Sequence, residues 1–348
     1  GLGGPGSTGM PDRQGFDLFH GYLCQRVAHN LWPTHLWRNG TREDLPGNVW
    51  GNLVGETYAH DVMIEEALAF IDRHREQPFL LYLPLHIPHL ALQVPQEEID
   101  AYADLPEDGP YDGSRGYLPH PSPRRAYAGM VTRMDRDIGR LMRRLDEHGL
   151  SDRTIVVFTS DNGPTFDVGG ADSDFFDSAE GRSGRKGSVS EGGLRVPLIV
   201  RWPGRIPAGT SSDAVTAFRD WMPTLCDLAG VPGPDLPPDV GGLSLRPVLL
   251  AEGEMSPRPF LAWEFPGYGA QQAVRMGRWK GVRRNMRRGG MDIELYDLDA
   301  DPAETTDLAA EHPAVVAEID RIMRERRTPS EAFPMPGLDV PVVDPPAE

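Results

Sequence analysis

The sequence has 348 residues, 39% hydrophobic and 25% charged, with 35 Lys and Arg against 52 Asp and Glu and a net charge of −17. At about 150 residues per domain that length gives roughly two domains, and the acidic balance argues against a nucleic-acid partner, which needs cationic grooves. No apolar run approaches the ~18 residues of a membrane span, and the lone cysteines Cys24 and Cys226 exclude a disulfide framework and a Cys-rich zinc site.

The opening GLGGPGSTGM has no basic start followed by an apolar core, so it is not a secretory signal. It begins on Gly1, and the expectation is a trimmed precursor or a fragment. Residues 1–57, rich in Gly, Pro, Asn and Trp, read as long loops. HDVMIEEALAFIDRHR (60–75) places Val62, Ala67, Leu68 and Ile71 on one helical face. PFLLYLPL (78–85), bounded by prolines, reads as a buried strand. The segment 123–148 has Pro123 at its start and Gly149 just beyond its end, which frames a helix with Met130, Met134, Ile138, Leu141 and Leu145 on its apolar face.

TIVVFTS (154–160) and VPLIVRWP (196–203) read as buried strands, and DWMPTLCDLAG (220–230) as a helix. This alternation predicts an α/β domain over 1–254, built on a mostly parallel sheet with flanking helices. After residue 255 the pattern changes. FLAWEF, QQAVRMG, RWKGVRR and IELYDL are closely spaced strands, and residues 312–327 form a closing helix, which predicts a small antiparallel subdomain over 255–332. The Pro-rich tail 333–348 is expected to be poorly ordered.

Four places carry candidate chemistry. Asp161 and Asn162 stand side by side at the end of the strand 154–160, where ligands collect in open α/β sheets. They offer oxygen ligands for a hard cation such as Ca2+ or Mg2+, and an Asx turn explains the pair equally well. Lys186, in the Gly-rich loop GRKGSVSEGGLRVP (184–197), is either a contact for an anionic group or a solvated surface lysine. His86 and His89 follow the strand 78–85, where a histidine can protonate a leaving group or serve structure alone; His29 has the same two readings. GGADSDFFDS (169–178), with Asp172, Asp174 and Asp177, lacks the Gly and terminal Glu of an EF-hand and reads as an acidic surface loop. RRNMRRGG (283–290), a basic knot in an acidic chain, reads either as a solvated hairpin or as an attractor of anionic substrates.

In order, SDNG, G-x-K-x4-EGG-x-RVP, QQAVRMGRWKGVRR and ELYDLDADPAETTDLA resemble the type I sulfatases of the alkaline phosphatase superfamily, and the opening GLGGPGSTGMPDRQGFD…FHGYL resembles the stretch after that family's Gly-Lys-Trp motif. The resemblance implies an alkaline-phosphatase-like α/β domain with a C-terminal antiparallel subdomain, and Ca2+-assisted hydrolysis of an aryl or carbohydrate sulfate ester. It implies that Asp161 and Asn162 are calcium ligands and that Lys186 contacts the sulfate. His89 would contact the sulfate and protonate the leaving oxygen, and His29 falls near an active-site histidine. Family members use a Cys or Ser in C/S-x-P-S/A-R, converted to formylglycine, as nucleophile. No such motif occurs here, and neither does the Asp-Asp calcium pair. The resemblance therefore places those parts upstream of Gly1, and with them any export signal of a periplasmic or extracellular parent. Two alternatives stand beside it: a phosphodiesterase or phosphonate hydrolase of the same superfamily, marked by two metal ions, and a catalytically inactive fragment.

Overall fold

The computed structural model describes residues 3–231, 237 and 240–340, and the chain divides into two compact units. The first comprises Gly1–Ser151 and Thr165–Phe176, the second Asp152–Pro164 and Asp177–Glu348. No helix among the described residues is long and apolar enough to cross a membrane.

The first unit opens with β1 (His20–Gly21), α1 (Gln25–Ala28), β2 (His35–Arg38) and β3 (Thr41–Asp44). The strands pair antiparallel in the order β1-β2-β3, with Leu36 fully buried against Ala59 and Met63. Residues 1–57 are therefore not wholly loop. Strands of two to four residues are too short to leave a period in the sequence. Next come α2 (Ala59–His74), α3 (Gln96–Asp100) and α4 (Pro123–Glu147).

On α2 the buried positions Ala59, His60, Met63, Ile64, Ala67, Leu68 and Ile71 recur at three and four; Val62 sits at the edge of this face. Pro123 opens α4, whose Met130 and Leu145 are buried while Met134, Ile138 and Leu141 are half-buried. Gly149, at φ +63°, ends it by letting Leu150 N–H donate to Leu145 O at 2.8 Å. Between α2 and α4, the fully buried His60 meets the buried Asp137 at 3.1 Å, and Asp137 also accepts from Arg133 and Arg140. Burial alone would raise the Asp137 pKa, but these three donors outweigh it and hold the carboxyl well below its usual range.

The second unit contains β4 (Val156–Thr159), α5 (Glu191–Leu194), β5 (Leu198–Arg201), α6 (Trp221–Leu228) and α7 (Arg246–Leu249). β6 (Leu261–Phe265), β7 (Gln271–Met276), β8 (Trp279–Arg283), β9 (Glu294–Asp297) and α8 (Pro313–Glu325) complete it. β6 to β9 form the expected antiparallel meander, and α8 packs Ile319, Ile322 and Met323 onto Val274 and Leu295. Gly281 lets that helix approach: a Cβ there would lie 2.6 Å from Ile319 Cγ2.

Further expectations are corrected. The strands read as buried are not: β4 is half-buried, and β5 leaves Leu198 and Ile199 exposed. Every strand ladder among the described residues is antiparallel, including β4 with β5, where alternation predicted a mostly parallel sheet. A connection as long as 160–197 permits either direction, so the alternation of strands and helices did not decide the pairing. Residues 78–85 form no strand and leave Leu80 and Tyr82 exposed. The basic knot at 283–290 is not a solvated hairpin: Arg283 and Met286 are buried, Arg283 donates to Gln272 Oε1 at 2.8 Å, and Arg284 to Glu294 at 2.9 Å.

The tail begins packed, with Met335 buried beside Ala270 and Met286 and Arg327 gripping Asp339 through two hydrogen bonds. The rest of the Pro-rich tail, 341–348, lies outside the described residues. In the loop 169–178, Asp174 and Asp177 are exposed. Asp172 is half-buried, accepting from Arg124 Nε at 2.9 Å and from Phe175 N–H at 3.0 Å.

Candidate functional site

Asp161 and Asn162 follow β4 in a turn that Ser160 Oγ closes by donating to Asn162 O at 3.0 Å. The next residue, Gly163, donates its N–H to Gly193 O at 3.0 Å, and a Cβ on it would collide with the Gly192 carbonyl oxygen. Only glycine allows two backbones this close. Gly192 N–H donates to Ser183 O at 2.8 Å, and Lys186 N–H donates to Pro164 O at 2.7 Å. The DNGP turn and the loop 183–194 are thus one backbone-to-backbone knot, which carries Asp161, Asn162 and Lys186 together within the second unit.

A buried ion cluster anchors this knot to the four-stranded sheet. Lys280 on β8 is fully buried and donates to Glu191 Oε1 at 2.7 Å, with Glu304 Oε1 at 2.9 Å. Glu304 Oε2 also accepts the Glu191 N–H at 2.7 Å. Neither Lys280 nor Glu304 is among the residues that the sequence singles out for chemistry. The one local signal was a lysine within the β-strand pattern of RWKGVRR, where strand alternation could have flagged an inward position.

The first unit holds the histidines. His29, just past the end of α1, stacks on His89 with ring centroids 5.4 Å apart and 12° between planes. Tyr117 lies 5.1 Å from His29 and 6.2 Å from His89. His89 Nδ1 is 2.6 Å from Leu90 O. A carbonyl only accepts, so Nδ1 carries a hydrogen and Nε2 is the atom that exchanges a proton. His86, which faces the Tyr22 ring at 4.3 Å, is different: its Nδ1 is buried without a partner. Burial, reinforced by the charges of His89, His60 and His29, pushes its pKa down to about 4, so it is a neutral ring at pH 7.

Of the predicted residues, the structure groups Asp161, Asn162 and Lys186 in one unit, and His29 and His89 in the other. Asp161 is exposed, and Asn162 spends its amide N–H on Gly163 O at 2.9 Å, which leaves the two carboxylate oxygens of Asp161 and Oδ1 of Asn162, oxygens of the kind a hard cation takes. They fit Ca2+ in type but are at most three of the roughly six to eight oxygens it needs. Among the described residues no three His, Cys, Asp or Glu side chains are grouped to complete the shell.

Residues 4–231 match the family model Sulfatase. The chain belongs to the sulfatase family. Residues 185–329 also match the model N-sulphoglucosamine sulphohydrolase, C-terminal. This sulfatase chain is 30% identical to human Arylsulfatase A over 368 residues, covering 92% of the chain and 65% of the relative. It is 29% identical to the N-acetylgalactosamine-6-O-sulfatase of Bacteroides thetaiotaomicron over 289 residues, covering 77% of the chain and 51% of the relative. The chain thus spans between half and two thirds of these relatives' length. Among solved structures it resembles Ps i-CgsB in complex with k-i-k-neocarrahexaose, with TM-score 0.73, 26% identity and coverage of 92% of this chain and 68% of that one. It also resembles the structure of BT4656 in complex with D-glucosamine-2-N,6-O-disulfate, with TM-score 0.69, 21% identity and coverage of 90% and 76%. The sulfatase chain has the α/β, alkaline-phosphatase-like fold of these neighbours.

Proposed function

We propose that the chain carries the sulfate-binding and proton-donating parts of a sulfuric ester hydrolase. The observation that carries this reading is the knot in which Gly163 and Gly193 bind backbone to backbone, holding the family-matched Asp161, Asn162 and Lys186 on one rigid frame. A sulfate ester is anionic and repels a nucleophile until its oxygens are neutralised. Lys186 supplies one positive charge. Asp161 and Asn162 would hold part of the coordination shell of a Ca2+ ion, which when bound polarises the sulfate. His89, with Nδ1–H donating to Leu90 O, would deliver a proton from Nε2 to the leaving oxygen when the ring is the imidazolium, and be left as the neutral Nδ1–H ring. His29, stacked on it, orients that ring. The nucleophile in this reading is a formylglycine of a C/S-x-P-S/A-R motif, which these 348 residues lack. The named activities of the relatives support a sulfate ester as substrate, of which a carbohydrate is one class.

Calorimetric titration of the chain with inorganic sulfate and with Ca2+ tests the reading. Lys186→Ala should weaken sulfate binding about tenfold, the cost of one charge-assisted contact, and whatever Ca2+ binding this partial shell supports should be lost in Asp161→Ala. Sulfate binding that ignores Lys186→Ala overturns the reading. Turnover of an aryl sulfate by the chain alone would overturn the assignment of the nucleophile to a missing motif.

A further inference from the structure

Beside His29 the first unit contains a cavity of about 290 Å³, lined by Arg26, His29, Asn30, Trp50 and Tyr117. Its chemistry is unlike the knot around Lys186, because it combines an aromatic face, a cation and a buried amide. Trp50 is 45% exposed, and the Arg26 guanidinium lies 5.9 Å from its ring centroid. Among the described residues Arg26 forms no ion pair.

Asn30 is only 4% exposed, and three of its polar groups are engaged. Its N–H donates to Val27 O at 3.1 Å, its O accepts from Tyr22 Oη at 3.0 Å, and its Oδ1 accepts from Trp32 N–H at 2.9 Å. The last bond fixes which way the amide points. Its Nδ2 is buried without a partner. A buried amide donor left unmade costs on the order of 1–3 kcal/mol, so this one is suited to an acceptor brought by a ligand.

From these observations we infer that this cavity binds the sugar ring of an anionic, sulfated carbohydrate. The inference rests on the hydrolase reading above and deepens it by naming the substrate class. A pyranose presents a flat C–H face, which suits the exposed Trp50 indole. It presents hydroxyl oxygens, which accept from Asn30 Nδ2. Arg26 matches a second anionic group on the same molecule, a carboxylate or another sulfate, by a bidentate contact. A simple aryl sulfate would use the indole but would satisfy neither Asn30 nor Arg26.

The test is calorimetric titration of the whole chain with three probes: a uronate-containing sulfated disaccharide, its desulfated counterpart and inorganic sulfate. Trp50→Ala should weaken the sulfated disaccharide at least tenfold and leave inorganic sulfate within about twofold. Asn30→Asp keeps the Oδ1 acceptor for Trp32 and replaces the donor, so it should weaken both disaccharides; a buried carboxylate also lowers stability, so binding is compared at a temperature below the melt of both proteins. Arg26→Gln should weaken binding about tenfold and flatten its salt dependence. A disaccharide affinity that ignores Trp50→Ala and Asn30→Asp, or the absence of binding by either disaccharide, overturns the inference. Trp50-dependent binding of the desulfated disaccharide, with no response to sulfate in any probe, sustains the sugar site and overturns the hydrolase reading instead.

Discussion

Lys280 donates to Glu191 at 2.7 Å from a side chain wholly out of water, joining the four-stranded sheet to the turn of helix that bears the EGG residues. Glu304 shares the same ammonium, so the cluster holds two carboxylates on one lysine. Removing one partner of a buried pair leaves an uncompensated charge, at a cost of about 3–5 kcal/mol. Lys280→Met should therefore lower stability by that amount, measured by urea unfolding at pH 7. Lys280→Met combined with Glu191→Gln and Glu304→Gln should recover most of the loss. A single variant as stable as the parent would show that the ammonium is not what holds this join.

The contact of Gly163 with Gly192 makes a sharper, local prediction. A methyl at Gly163 meets backbone oxygen, which cannot swing aside, whereas a methyl at Gly149 meets nothing within 4 Å and costs only the strain of φ +63°. Gly149→Ala should cost about 1 kcal/mol. Gly163→Ala should cost several times more, or displace the Asp161–Asn162 turn. Thermal melts give the first quantity, and amide hydrogen exchange at Gly163 and Lys186 reports the second. Equal costs for the two variants would refute the close approach.

These two sites also mark the limit of local sequence reading. The frame of α4 was legible because Pro123 and Gly149 act within a turn of the helix they bound. The strands β6 to β9 were legible because short apolar runs there are separated by turn residues. Residues 78–85 misled because an all-apolar run signals a preference for burial, whereas a strand also needs a partner edge. The order of strands, and with it parallel against antiparallel pairing, is set by where the 160–197 loop returns, which no window of residues contains. Asp161, Asn162 and Lys186 could be picked out from their motifs. What fixes them could not: Lys280 reaches Glu191 from 89 positions away.

His86 makes stability depend on pH. Its folded pKa of about 4 lies below the ordinary 6.5, so the native state keeps the ring neutral while the unfolded chain protonates it. Between those values the unfolded state binds more protons, and stability falls as pH falls. The full difference is worth up to about 3 kcal/mol, present above pH 6.5 and lost as pH drops toward 4. Urea unfolding at pH 7.0 and 4.5 should show the fall in the parent chain. His86→Phe, which keeps a ring against Tyr22 and cannot titrate, should show a smaller one. The same pH difference in both proteins would assign the effect to other groups.

Leu80 and Tyr82 are 67% and 71% exposed, on a segment whose alternate residues Phe79, Leu81 and Leu83 are half-buried. That is the side-chain alternation of a strand without a ladder, and it leaves unpaired backbone beside apolar side chains. Such a strip binds hydrophobic dyes and drives self-association. The chain should therefore enhance the fluorescence of an apolar dye and associate as its concentration rises. Leu80→Lys with Tyr82→Lys should reduce both effects. Substitutions on an exposed face usually change stability by less than about 0.5 kcal/mol, so the double variant should melt with the parent. Unchanged dye binding would mean that the strip is not accessible. A loss of several kcal/mol would mean that Leu80 and Tyr82 are packed in solution, and either result would remove 79–83 as the adhesive edge of the molecule.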